Sequence, residues 1–339
     1  MKKLIFSAAA LMCGSLMFAQ SNDSDVNQVG NTNSSVVSQT GMTNYSTVEQ
    51  WGDLNSADVM QDGTSNYSDV DSLGDENTAM ASQTGDFNSS EIHQGYGTGA
   101  GLNDGNTGSI VQAGDSNYGH IDQYGDADGS DDNTSAISQT GNYNYAYNYQ
   151  YGDFNSSSQS QDGDFNTSVA NQYGDANYSM TDQIGDSNTV YVNQTGDNNI
   201  SNEWQWGDSN YSTIDQVGNF NVGENAQLGN DNDSDIDQIG DGNYAGAGQY
   251  GDDNESNIMQ TGDDNYALTL QYGTMHVSNV TQTGDLNTSY VMQDGLQHLS
   301  NVTQTGNDNI SDVGQFGTTH VSNVSQIGNN NSSIVTQND

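Results

Sequence analysis

Glutamine recurs every eleven residues along almost the whole chain, and this period constrains the fold more than any other feature. Of the 28 positions in the series, 27 hold Gln, and Ser72 is the exception. Gly follows two residues later at 26 of the 28 positions, and Asn follows five residues later at 22 of the 27 positions for which the chain is long enough. The chain is one unit, Gln-x-Gly-x-x-Asn-x-Ser/Ala-x-Val/Ile-x, repeated 28 times, and such repetition indicates a stacked architecture.

Within each unit, the small, apolar and amide residues recur in steps of two. Asn44, Ser46, Val48 and Gln50 illustrate the pattern. Successive side chains of a β-strand point to opposite faces, so these four residues would line one face. The Gly-x-x segment after each Gln supplies turn chemistry, because Gly accepts positive φ without steric cost. Each unit therefore predicts one strand followed by one turn.

A second period, twice as long as the unit, overlies the first. From residue 139 onward, the position two before Gln is apolar almost throughout in one set of alternate units and polar in the middle of the other set. His276, His298 and His320 also replace Asn in every second unit. We predict an all-β fold, a parallel two-sheet β-solenoid of 14 strand-turn-strand-turn coils, which becomes cross-β amyloid on stacking.

Stacked coils would place like residues over like, so the repeated amides would form columns. A buried amide is costly unless it is paired, and a Gln column satisfies itself because each side chain donates to one neighbour and accepts from the other. We predict a structural ladder of Gln150, Gln172, Gln194, Gln216, Gln238, Gln260, Gln282, Gln304 and Gln326, with Asn155, Asn177, Asn199, Asn221, Asn243, Asn265 and Asn287.

Composition divides the chain into three parts. Residues 1–19 are predicted to be a secretory signal peptide, with Lys2 and Lys3 before an apolar run. Residues 20–27 form a short N-terminal leader, and 28–339 form the solenoid. Two irregular inserts interrupt the period, near 95–111 and 124–138, and each is interpreted as a bulged turn or as a hinge.

Charge excludes several classes of function. Lys2 and Lys3 are the only Lys or Arg residues, against 45 Asp and Glu and a net charge of −43 at pH 7. A mature chain without basic residues has nothing to neutralise phosphates, which excludes nucleic acid as a partner, and we also predict no membrane insertion. It equally lacks basic groups that would stabilise developing negative charge, and no residue constellation supports catalysis, so we predict that the protein is not an enzyme.

The repeat resembles a known family. The motif Ser-x-x-x-Gln-x-Gly-x-x-Asn-x-Ala-x-x-x-Gln, similar to the curlin repeat of bacterial curli subunits, stands here as Ser46, Gln50, Gly52, Asn55, Ala57 and Gln61. The resemblance covers about 26–339. It implies an extracellular structural subunit that forms curli-like functional amyloid fibres at the cell surface, with curli-type secretion and nucleation proteins as partners. The signal-peptide ending Phe18-Ala19-Gln20 resembles those of Bacteroidetes.

Self-assembly is also expected from the repeat itself. The periodic units begin near Val26 and continue to Gln337, so both terminal coils are expected to leave open strand edges. We therefore predict that the main partner is the protein itself, in a homopolymer whose copies add head to tail. The alternative is a monomeric acidic solenoid that acts as a surface adhesin or as a cation- or ice-binding protein, with Thr261, Thr283 and Thr305 aligned in alternate units.

Candidate ligand-binding residues are few, and no cofactor is predicted. The turn residues Asp153, Asp175 and Asp197 are expected to form a column, which is either solvated or binds calcium between neighbouring carboxylates. The trio His276, His298 and His320 either binds a transition metal, senses pH or simply substitutes for Asn at a turn. Glu203 occupies an inward position in the pattern, where it would be protonated or turned outward.

Overall fold

A computed structural model describes residues 21–95, 105–125 and 131–339. The predicted signal peptide, 1–19, lies outside the described residues, as do 96–104 and 126–130 within the two inserts. All the regular elements in the described ranges are strands, and none of these residues forms a helix that could cross a membrane.

The 28 described strands form two parallel sheets of 14 strands each. The odd sheet contains β1 (Asp23–Val29), β3 (Tyr45–Trp51), β5 (Tyr67–Leu73), β7 (Ser89–Gln94), β9 (Tyr118–Tyr124), β11 (Tyr145–Tyr151), β13 (Thr167–Tyr173), β15 (Thr189–Thr195), β17 (Tyr211–Val217), β19 (Asp233–Ile239), β21 (Glu255–Thr261), β23 (Val277–Thr283), β25 (Leu299–Thr305) and β27 (Val321–Ile327). The even sheet contains β2 (Ser34–Met42), β4 (Ser56–Thr64), β6 (Thr78–Thr84), β8 (Thr107–Ala113), β10 (Thr134–Thr140), β12 (Ser156–Asp162), β14 (Tyr178–Ile184), β16 (Ile200–Trp206), β18 (Val222–Leu228), β20 (Tyr244–Tyr250), β22 (Tyr266–Thr274), β24 (Thr288–Leu296), β26 (Ile310–Thr318) and β28 (Ser332–Asn338).

Each strand pairs in parallel with the strand two units away, so one coil contains one odd and one even strand. Gln194 of β15 pairs with Gln216 of β17, and Gln183 of β14 pairs with Gln205 of β16. The prediction of a parallel two-sheet β-solenoid with two units in each coil is confirmed. The fold follows from the period, because each unit supplies one strand and one turn, and two such units close a coil.

The core lies between the two sheets and changes character along the stack. Apolar columns line it at both ends, for example Val48, Val70 and Ile92 near one end and Val280 and Val302 near the other. Between them the inward positions are polar and buried in the even sheet, at Gln159, Thr181, Glu203 and Asn225. The sequence showed polar residues in the middle units of one alternate set, and these side chains therefore lie in the interior.

The turns require glycine at one position because adjacent coils approach closely there. Gly52 has a φ of 123°, and a Cβ atom built on it would lie 2.0 Å from the carbonyl oxygen of Gly74 in the next coil. Leu54, two residues later, has a φ of 62°, a region that L-residues seldom adopt. Its amide donates to the carbonyl of Asn31 at 2.9 Å, which helps to hold this conformation.

Both sheets continue across the inserts without loss of register. Gln94 of β7 pairs with Gln123 of β9, and Gln112 of β8 pairs with Gln139 of β10. The strands on either side of each insert thus belong to the same sheets. The central residues of both inserts lie outside the described ranges, so the choice between bulged turns and a hinge stays a prediction.

Candidate functional site

The Gln column runs through the interior and joins the coils to each other and the two sheets to one another. Gln150 donates through Nε2 to Oε1 of Gln172 at 2.9 Å, and also to the backbone carbonyl of Thr134 in the even sheet at 2.9 Å. Oε1 of Gln150 accepts from Nε2 of Gln123 at 3.0 Å, so both amide hydrogens and the carbonyl oxygen of the side chain are used. A glutamate could supply none of these donors when ionised.

The predicted Gln positions repeat this arrangement from coil to coil. Gln216 donates to Gln238 at 2.8 Å and to the carbonyl of Ile200 at 3.0 Å. All nine predicted Gln side chains are buried, in the column Gln150, Gln172, Gln194, Gln216, Gln238, Gln260, Gln282, Gln304 and Gln326. The sequence pattern did not reveal the second bond to the opposite sheet, since it depends on the small separation of the two sheets.

The Asn column lies at the start of each strand, and each side chain bonds to the backbone of the next coil. Oδ1 of Asn155 accepts the backbone N–H of Asn177 at 3.0 Å, and Nδ2 of Asn155 donates to the carbonyl of Gly174 at 2.7 Å. The same backbone-to-amide bond recurs along the predicted column, at Asn199, Asn221, Asn243, Asn265 and Asn287. Each Asn thus satisfies an N–H and a carbonyl group in the turn of the next coil.

The histidine trio occupies a column of this kind. His298 donates its backbone N–H to Nδ1 of His276 at 3.2 Å, while Nε2 of His276 lies 3.0 Å from the carbonyl oxygen of Tyr272. Nδ1 of His298 in turn accepts the N–H of His320 at 3.1 Å. These rings therefore perform the hydrogen bonding of Asn at a turn. A metal at His276 or His298 would have to displace backbone partners.

The turn aspartates also form a column that bonds to the backbone. Asp153 donates its N–H to Oδ1 of Asp175 at 3.0 Å, and Asp175 does the same to Asp197 at 3.0 Å. Each of these bonds places a partial positive charge beside a carboxylate that has a like charge one coil away. Part of the repulsion along the column is therefore offset within the chain, and the structure holds the carboxylates against the backbone.

Glu203 points into the core, in the polar middle of the even sheet. Ser212 Oγ donates to its Oε2 at 2.5 Å, and Asn225 Nδ2 lies 3.5 Å from its Oε1. Burial raises the pKa of Glu203 to about 8, although its hydrogen bonds to Ser212 and Asn225 act in the opposite direction. Of the two alternatives that its position suggested, inward and protonated at neutral pH is the one that the structure supports.

A cluster on the outward face of the odd sheet was missed by the sequence analysis. It consists of Glu91 and His93 on β7 and His120 and Asp122 on β9, which we call the outward histidine cluster. Asp122 Oδ1 lies 3.0 Å from Nδ1 of His93 and 2.9 Å from Nε2 of His120. The signal was present, because Gln94 and Gln123 are two repeat units apart and therefore pair in the same sheet. The insert lengthens the chain between them beyond two regular units, which hides the relation.

The repeat matches the model of one known protein family. The family described as Curlin associated repeat matches residues 19–52, 52–85, 74–102, 207–240, 229–262, 253–284 and 279–306, which together cover more than half of the chain. A comparison with curated proteins found no match. The β-solenoid and this repeat are structural rather than enzymatic in type. With its two-strand coils and its Gln and Asn columns, the chain belongs to the curlin repeat family.

Proposed function

We propose that the protein is a secreted structural subunit that self-assembles head to tail into curli-like functional amyloid fibres. The fibres would lie outside the cell, at its surface, and contribute to biofilm matrix, adhesion and cell aggregation. Membership of the curlin repeat family supports a fibre subunit of the curli type. By the same resemblance, curli-type secretion and nucleation proteins are the expected partners for export and for the start of assembly.

The observation that carries this proposal is that every coil offers the next one the same set of partners. Gln238 accepts from Gln216 and donates to Gln260, while its strand pairs on both sides through the backbone. The outermost described strands are β1 and β2 at one end of the sheets and β27 and β28 at the other, and each pairs with a neighbour on one side only. A second copy in the same register would extend both sheets and the amide columns without a new type of contact.

The strongest test places charge in the buried Gln column. The triple variant Gln216→Glu, Gln238→Glu, Gln260→Glu would stack carboxylates about 4.8 Å apart in the interior and remove their donors. We expect this variant to form no fibres, whereas the wild-type chain forms unbranched fibres with a meridional reflection at about 4.7–4.8 Å. Thioflavin fluorescence, electron microscopy and fibre diffraction measure these outcomes.

The matched control changes the outward residues beside the same column. Asp215→Ser, Asp237→Ser and Thr281→Ser leave every Gln in place and should assemble at close to the wild-type rate. Equal assembly of both triple variants would contradict the role of the Gln column. A wild-type chain that stays monomeric at high concentration would instead favour the alternative of a monomeric acidic solenoid acting as a surface adhesin or as a cation- or ice-binding protein.

A further inference from the structure

The outward histidine cluster combines two imidazoles with carboxylates in a way that no other part of the described chain repeats. Groups of three potential ligands occur at Glu91, His93 and His120, and at Asp69, Asp71 and His93, with the ligand atoms of each group within 4.8 Å of one another. These residues lie on three neighbouring strands, β5, β7 and β9, and all of them point away from the core.

Asp122 holds both imidazoles in place. Its carboxylate is bonded to His93 and His120 through Oδ1, and it accepts a third hydrogen bond from Tyr147 at 2.9 Å through Oδ2. Only 10% of its side chain is exposed. These three hydrogen bonds fix the carboxylate as the shared acceptor for both rings.

This arrangement determines which ring nitrogens carry the lone pairs that can bind a metal. If His93 donates its Nδ1 hydrogen and His120 its Nε2 hydrogen to Asp122, the lone pairs belong to Nε2 of His93 and Nδ1 of His120. Nδ1 of His120 lies 3.6 Å from Oε2 of Glu91, a separation that a shared ion of first-row size can bridge. Metal-binding histidines commonly donate their second nitrogen to a carboxylate in this manner.

We propose that Glu91, His93 and His120 bind one divalent first-row transition metal ion, such as Zn²⁺ or Cu²⁺, with Asp122 as the positioning residue. Two imidazole nitrogens select these ions over Ca²⁺ and Mg²⁺, which prefer oxygen ligands. The acidic surroundings, with Asp69 and Asp71 on the neighbouring strand, add attraction for a cation. Binding requires the hydroxyl of Tyr118, now 3.1 Å from Nδ1 of His120, to turn away.

The site joins two successive coils on one outer face, and the ligands come from strands on either side of an insert. A bound ion would therefore cross-link β7 to β9 where the connection between them is longest. Because the outward face is separate from the Gln and Asn columns, metal binding and fibre assembly are independent properties. Either of them can fail in an experiment without the other.

Zinc titration of the purified chain tests the proposal directly. Calorimetry in millimolar Ca²⁺, which occupies the scattered surface carboxylates, should reveal one tight Zn²⁺ site per chain. The double variant His93→Gln, His120→Gln should lower the affinity by at least about a hundredfold, and Asp122→Asn should lower it by about 10- to 100-fold. In the Cu²⁺ complex, electron paramagnetic resonance should report two nitrogen ligands in both the wild-type chain and Asp122→Asn.

The matched control removes two histidines elsewhere, as His276→Asn, His298→Asn, and should leave the tight site unchanged. A second measurement uses only the wild-type chain, so that it does not depend on the folding of a variant. Zn²⁺ should protect His93 and His120, but not His320, from modification by diethyl pyrocarbonate, as read by peptide mass spectrometry. Absence of a tight site, equal loss of affinity in the control variant, or absence of protection would overturn the proposal.

Discussion

Two pairs of neighbouring histidines show how strongly position within the solenoid determines chemistry. The ring centroids of His93 and His120 on the outer face are 5.0 Å apart, and so are those of His276 and His298 in the buried turn column. The outer rings meet edge to face, with planes at 84°, while the buried rings are parallel to within 10°. The coil spacing sets the shared distance, and the hydrogen-bonding partners set the different angles.

The partners also give the two pairs opposite electrostatic environments. Burial works against protonation of His93, but its hydrogen bond to Asp122 and the nearby carboxylates outweigh burial and raise its pKa. Burial lowers the pKa of His276, and its hydrogen bond to the carbonyl of Tyr272 does not reverse the effect. The outer face therefore stabilises charge, whereas the interior keeps ionisable groups neutral and uses them as hydrogen-bonding groups.

The largest effect on stability is expected at Glu203, and it tests whether the interior keeps ionisable groups neutral. Its pKa is about 8 in the folded chain against 4.5 for an ordinary glutamate, so its stabilising contribution is complete below pH 4.5 and is lost as pH rises through 8. Glu203→Gln should remove this loss and raise the free energy of unfolding at pH 9 by roughly 3–4 kcal/mol relative to wild type. Gln159, in the same column, shows that the site accommodates the amide.

Urea denaturation at pH 4, 7 and 9 measures this dependence, with the exposed Glu49→Gln as the control variant. Parallel pH profiles for the wild-type and Glu203→Gln chains would mean that Glu203 ionises freely. The difference between a charged exterior and a neutral interior would then not hold at Glu203, which is fully buried.

A smaller effect compares the two histidine pairs themselves. His298→Leu leaves the N–H of His320 and the carbonyl of Asp294 without their ring partners and should cost about 1–3 kcal/mol of unfolding free energy. His120→Leu, on the outer face, should cost less than about 1 kcal/mol because Asp122 keeps its hydrogen bonds to His93 and Tyr147. Urea denaturation without added metal measures both values.

The rescue variant for the buried pair is His298→Asn, which restores the residue that this turn position holds in most other coils. It should recover most of the stability that His298→Leu loses. If Leu and Asn were equally tolerated at this position, the hydrogen bonds of the buried column would contribute nothing, and the proposed difference between the two pairs would lose its basis.

The smallest effect is expected at the carboxylate of the outer face. Asp122→Asn keeps an oxygen acceptor but removes the charge that both imidazoles face, so we expect a loss of about 1 kcal/mol at pH 7 with a chelator present. Asp58→Asn, an exposed carboxylate on the even sheet, is the control and should change the stability by less than half as much. Thermal denaturation followed by circular dichroism is sufficient. A gain of stability in Asp122→Asn would show that repulsion among carboxylates dominates this face.

Repetition made much of the fold predictable from the sequence. The alternation around Gln50 assigned side chains to the inner and outer faces, and the interval between His276 and His298 gave the coil length. An error in the interpretation of one unit does not affect the next, because the same residue pattern recurs in every unit. The amide columns could also be predicted from the repeat, since parallel in-register stacking places each residue over its equivalent in the next coil.

The outward histidine cluster could not be obtained in the same way. An insert lies between His93 and Asp122, so the regular interval that aligned the His276 column does not bring them together. The turn conformation was similarly hidden, because Leu54 adopts a positive φ that its residue type does not favour. Contacts between coils maintain that conformation, and the sequence of one unit contains no sign of them.

The sequence by itself determined the length of the coil, the face of the sheet on which each side chain lies, and the columns of identical residues. These properties follow from a strand period of two and from repetition. Tertiary structure alone decided which different residues meet across an insert, how far Glu203 is removed from water, and which nitrogen of each histidine is used. Those properties depend on distances between coils and between sheets. A pKa value or a set of metal ligands depends on such distances, and these distances cannot be deduced from a repeat pattern.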